Sequence, residues 1–150
     1  VVAAEYNRLH ELFGRTGGLT RNNLLKARHN ALSGQKTVAA GDTFSTACSV
    51  RDIARSLAIM LKTSFYGTYH FANLGIVTRS GYLQTFLKAI DMDPDWVTPS
   101  TVLEMARPAR RNHHILIKSL LLEPTFGITL PPVEFALKEV IADMRADGTI

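Results

Sequence analysis

Arg107, Arg110 and Arg111 flank Pro108, which places three guanidinium groups on one short segment stiffened by a fixed φ. A guanidinium fork pairs two N–H groups with two oxygens of one anion, so this segment suits recognition of a diphosphate, although composition alone favours a solvated basic loop. A second polar concentration runs from Gly41 to Cys48, where Asp42, Thr43, Ser45 and Thr46 form a loop with too little apolar surface to build a core. Cys48 closes that loop where a helix begins, and a helix N-terminus favours a thiolate. No base is identifiable beside it, so a buried inert thiol is expected.

The remaining reactive residues argue against catalysis. His113 and His114 are adjacent and so point in different directions in helix or strand, which does not suit two ligands of one zinc ion. His70 falls in an apolar strand, where a core histidine is expected rather than a general base. Gly14-Arg15-Thr16-Gly17-Gly18 is expected to follow a helix as its stop, not to cradle phosphate, and neither a dinucleotide loop nor a Walker loop is found. No catalytic, cofactor-binding or metal-ligating residue is therefore assigned from these patterns.

The surrounding elements must position the loop and the arginine arm. Tyr6, Leu9, Leu12 and Phe13 fall on one helical face and predict a helix from Ala3 to Phe13. A second helix is expected from a Thr20 cap to Gly34, and a strand over Lys36 to Ala40. Ser49 and Asp52 have approximate capping-box spacing and open a helix carrying Val50, Ile53, Leu57 and Leu61. Gly67 to Asn73 reads as a strand, Thr78 caps a helix with Tyr82, Leu83, Phe86 and Leu87, and Trp96-Val97 as a short strand. Thr98 to Arg111 reads as an irregular arm, Lys118 to Glu123 as a short helix, and Pro131-Pro132 as the start of the last helix. Helices alternating with short strands give a mixed α/β fold that is helix-rich.

Length and charge bound the rest. The 150 residues suffice for one domain with a substantial core, and the net charge of +4 is spread over several segments. Aromatic residues do not interleave with Lys and Arg, so nucleic acid is not expected as a partner. Apolar stretches stop short of the roughly 20 residues a membrane helix needs, so no membrane is expected either. One cysteine permits no internal disulfide, which suits the cytoplasm.

Four stretches in order, Cys48-Ser-Val-Arg-Asp-Ile-Ala-Arg, Gly67-Thr-Tyr-His-Phe-Ala-Asn, Arg107-Pro-Ala-Arg-Arg and Thr125-Phe-Gly-Ile-Thr-Leu-Pro, resemble the C-terminal half of the dTDP-4-dehydrorhamnose reductases. These are extended short-chain dehydrogenase/reductases. The resemblance implies the C-terminal part of their Rossmann-like fold, with residues 1–150 as the substrate-binding lobe and the N-terminal Rossmann half absent. It implies binding of a nucleotide-diphosphate sugar by Asp42, Thr43, Arg107, Arg110 and Arg111, with NAD(P)H serving only the complete enzyme. The family's Tyr-x-x-x-Lys pair is not in the chain: Tyr6 is followed four residues later by His10.

Several positions depart from the family pattern. Thr43 stands where the family has Gln, Ser45 and Ala47 replace a usual Gly and Pro, and Arg79 replaces a frequent aromatic. His10-Glu11 stands where a family strand ends in Ser-Trp, and Ile115 where a Ser follows the arginines. Two expectations follow: part of an NAD(P)H-dependent nucleotide-sugar reductase in deoxysugar biosynthesis, or a non-catalytic regulatory module acting through a protein partner. Either way, apolar surface left by the missing half is expected to drive pairing with that half or self-association.

Overall fold

The computed structural model describes residues 6–8, 11–105 and 112–150. Chain order runs β1 (Tyr6–Arg8), β2 (Glu11–Phe13), α1 (Gly18–Arg21), α2 (Asn23–Leu32) and β3 (Thr37–Ala40). Next come β4 (Phe44–Ser45), β5 (Ala47–Ser49), α3 (Val50–Met60), β6 (Thr68–His70), β7 (Val77–Thr78) and α4 (Arg79–Ala89). A 3-10 turn at Pro94–Trp96, β8 (Val97–Ser100), β9 (His114–Ile115), α5 (Leu122–Phe126) and α6 (Val133–Ala146) complete it. The mixed α/β class expected from the sequence is what the chain forms.

Short parallel pairings organise these pieces. β1 pairs with β6, β2 with β5, and β3 with β8, all parallel. β4 lies between antiparallel β7 and parallel β9. Parallel neighbours need long crossovers, and the helices supply them.

Two apolar clusters sit on either side of β5. Ala47 joins Phe13, Leu24, Phe86, Leu87, Val97 and the inner face of α6. Cys48, the next residue and so on the opposite face, joins Ile53, Met60, Tyr69, Phe71, Leu122 and Ile128. Between them runs a buried polar knot at Asn73. Its side-chain Oδ1 accepts the Ser49 N–H at 2.8 Å, and its Nδ2 donates to Asp52 Oδ2 at 2.8 Å and to the Pro131 carbonyl at 3.0 Å. The knot ties the start of α3 to the segments after β6 and before α6.

Several sequence expectations are corrected. Tyr6–Arg8 and Glu11–Phe13 are strands, not one helix, because long-range parallel partners outweigh a local helical period. The cap of the second helix is Asn22 rather than Thr20, its side chain accepting from Leu24 and Leu25 N–H. Ser49 is the N-cap residue of α3 but makes no side-chain capping bond, and Asp52 binds Asn73 instead. Val97–Ser100 continues as a strand through Pro99, which an edge strand tolerates. The short helix starts at Leu122 rather than Lys118, since the Ser119 hydroxyl is bonded to the Ala72 backbone and holds that segment against its neighbour. Thr78 does cap α4, accepting from Gly81 N–H at 3.1 Å.

Candidate functional site

Residues 106–111, with Arg107, Arg110 and Arg111, lie outside the described residues, but both flanks of that arm are described and converge on the Asp42 loop. The loop leaves β3 at Gly41, whose N–H donates to the Ser100 carbonyl at 2.8 Å. A Cβ at Gly41 would come within 3.2 Å of Pro99 Cβ and 3.3 Å of Ser80 Oγ, so a side chain there would push β3 and β8 apart. Immediately beyond, both Asp42 carboxylate oxygens accept the Val102 N–H, at 3.0 and 3.2 Å.

Val102 belongs to a self-capped turn that the sequence reading missed. Thr101 Oγ1 accepts from Glu104 N–H at 3.1 Å, and the Glu104 carboxylate accepts from Thr101 N–H at 2.9 Å and from the Ser100 hydroxyl at 2.9 Å. This is the reciprocal Thr-x-x-Glu capping box, and its spacing was legible in Thr101-Val-Leu-Glu104. The Thr101 N–H and then the Ser100 hydroxyl hold the Glu104 carboxyl below the usual carboxylate range.

The far flank docks on the same loop. His113 Nδ1 lies 3.1 Å from the Asp42 carbonyl oxygen and 3.5 Å from Asp42 Oδ2. Phe44 N–H donates to the His113 carbonyl at 2.7 Å, and Phe44 and His114 stack with centroids 5.3 Å apart and planes 10° apart. Thr46 Oγ1 accepts the Ile117 N–H at 3.0 Å. Asp42 thus sits at the foot of the arm on both sides, with half-buried Thr43 beside it. A cavity of about 340 Å³ opens next to Phe44, lined also by Thr78, Tyr82, Thr85 and Glu134.

The Gly14–Gly18 turn requires a correction: it follows strand β2 and precedes α1 and α2, an order resembling a phosphate loop. The Asn22 side chain takes the Leu24 and Leu25 N–H groups that would meet phosphate, and donates back to the Gly14 and Thr16 carbonyls at 2.7 and 3.0 Å. The first amides of α2 are thus held from within by Asn22. A groove of about 630 Å³ lies beside this turn, lined by Leu12, Arg15, Arg21, Val50, Arg51 and Ala54.

Cys48 is buried, as expected for an inert thiol. Burial, and secondarily the Asp52 charge, push its thiol from 9.0 up to about 12, so it is not a nucleophile at neutral pH. Among the described residues no three His, Cys, Asp or Glu side chains are grouped to hold a metal, and no helix is long and apolar enough to cross a membrane. The described geometry joins both flanks of residues 106–111 to the Asp42 loop.

Comparison with known proteins is consistent with that geometry. The family profile described as RmlD substrate binding domain matches residues 7–146. No curated protein sequence matches the chain. The dTDP-4-dehydrorhamnose reductase of Bacillus anthracis, solved with NADP, aligns at TM-score 0.83 with 20% identity, over 91% of this chain and 47% of that one. The Clostridium acetobutylicum dTDP-4-dehydrorhamnose reductase aligns at 0.81 with 24% identity, over 93% and 48%. The dTDP-glucose 4,6-dehydratase DesIV of Streptomyces venezuelae shares the fold at 0.73 with 15% identity, over 98% and 45%. The chain spans about half the length of these structures.

Proposed function

This chain belongs to the RmlD substrate binding domain family, and from that premise we propose that it binds the dTDP-sugar of an NAD(P)H-dependent 4-keto-6-deoxysugar reductase in deoxysugar biosynthesis. The hydride donor and the acid/base pair belong to a Rossmann half outside these 150 residues. In this reading NAD(P)H serves the complete enzyme, with its site in the other half.

The observation that carries the reading is the grip of Asp42 on the arm. Residues 60 apart in sequence meet where the Asp42 carboxylate holds Val102 N–H, and His113 returns to the same residue. The flanks of the Arg107, Arg110 and Arg111 segment thus meet at the Asp42-Thr43 loop, which supports the grouping the resemblance implies. In this reading the arginines take the diphosphate, Thr43 offers a hydroxyl to the sugar, and Asp42 sets the position of the arm.

Calorimetric titration of dTDP tests it. Each charge-assisted bond contributes about 1.5–3 kcal/mol, so Arg110→Ala and Arg111→Ala should each weaken binding about tenfold or more. Lys138→Ala, on α6, should leave it unchanged. Equal binding by all four proteins, or none by wild type, would overturn the assignment.

A further inference from the structure

His113 meets Asp42 twice, and the geometry decides where its proton sits. Nδ1 lies 3.1 Å from the Asp42 carbonyl oxygen and 3.5 Å from Oδ2 of the same residue. A carbonyl oxygen only accepts, so Nδ1 carries a hydrogen and donates it. A neutral ring supplies that hydrogen as one of its two tautomers, and an imidazolium supplies it together with a charge.

The backbone delivers the ring to this position. β9 runs parallel to β4 with Phe44 opposite His114, and the Phe44 N–H donates to the His113 carbonyl at 2.7 Å. His114 stacks on Phe44 while His113 reaches Asp42. The same Asp42 carboxylate accepts the Val102 N–H with both oxygens. Val102 and His113 are thus tied through one side chain. The charged groups on the elements that meet here are the Asp42 carboxylate of the β3–β4 loop, Glu104 of the turn that carries Val102, and, by sequence, Arg110 and Arg111 just ahead of His113.

We propose that His113 is a positioning residue whose Nδ1–H fixes the Asp42 carboxylate for Val102, and that nucleotide binding tightens this hold by adding a second proton, taken from solvent, to the ring. Only the second part rests on the nucleotide-sugar reading above. Arginines next in the chain disfavour an imidazolium, and an anion that engages them removes that repulsion. Linkage requires the converse, so a proton on His113 strengthens binding of the anion. The pair is exposed, which limits the gain to about fivefold in affinity.

Calorimetry with dTDP-glucose reads the coupling, because a diphosphate diester does not itself titrate where imidazole does. Wild-type affinity should rise about threefold to fivefold between about pH 8 and about pH 5.5. His113→Asn keeps an N–H near the Nδ1 position without a titrating ring, so it should match wild type at the upper pH and show no rise. The positioning role is read without ligand at the upper pH by amide exchange at Val102, which should quicken about threefold in His113→Ala and stay at the wild-type rate in His113→Asn. A flat wild-type profile, a rise retained by His113→Asn, or equal Val102 exchange in wild type and His113→Ala would each overturn the proposal. If wild type binds no dTDP-glucose at any pH, the nucleotide-sugar reading falls and takes the second part with it, while Val102 exchange still decides the first.

Discussion

Replacing Asn73 with Ala should cost this fold a large share of its stability, because one side chain satisfies two buried groups, one of them a carboxylate oxygen, and braces a third. The substitution strands the Ser49 N–H and one Asp52 carboxylate oxygen, each 2.8 Å from Asn73, while the Pro131 carbonyl keeps the Leu74 N–H at 3.1 Å. Ser49 is 1% exposed and Asp52 4%, so water cannot replace the lost partner without opening the start of α3. An unsatisfied buried group costs about 1–3 kcal/mol, and the charged one stands at the upper end. The sum is about 4–6 kcal/mol, against a total of about 5–15 for a domain of this kind. With a urea slope of about 2 kcal/mol/M, the unfolding midpoint should fall by about 2–3 M. Circular dichroism through a urea titration reads this directly. A shift below about 0.5 M would mean that the knot is incidental and the apolar clusters alone fix the junction.

Two further outcomes follow from the same packing. The Cys48 thiol is raised from 9.0 to about 12, so its neutral form is favoured in the fold; that contribution is complete below pH 9 and is lost as pH rises toward 12. Three pH units correspond to at most about 4 kcal/mol, so stability should fall steeply between pH 9 and 11, and Cys48→Ala should flatten that limb; equal slopes would refute the linkage. Asp42→Ala should free the Val102 amide, raising its hydrogen exchange about tenfold or more while the Asn73 amide is unaffected; an unchanged Val102 rate would remove Asp42 from its role at the arm.

What the sequence disclosed depended on how local each signal was. The last helix announced itself in Pro131-Pro132 and the Val133, Ala136, Leu137, Val140 stripe, because proline placement and helical period are read within a few turns. The same local rule misassigned Ala3 to Phe13. Its apolar spacing suits a helix, but partners at Ala47–Ser49 and Thr68–His70 make the described parts strands. The loop at Asp42 and the arm at Arg107 were each visible as chemistry, yet their union runs through a backbone N–H at Val102, and a backbone donor leaves no trace in residue type. The capping box at Thr101 and Glu104 did leave one, hidden in a segment read as irregular on account of its prolines. Ser119 is the converse case, a residue that looks like part of a helix until its hydroxyl is claimed from 47 positions away.

β5 is only three residues long, yet Ala47 and Cys48 close opposite rooms of the molecule with a single shared wall. Neither room can be remodelled alone. A bulkier residue at either position displaces the strand backbone, and the displacement reaches the other room with its sign reversed, since what crowds one side vacates the other. Ser49 is anchored to Asn73, so the wall cannot slide along its length to relieve the strain. A bulkier side chain at Ala47 or Cys48 should therefore disturb the packing of both rooms at once.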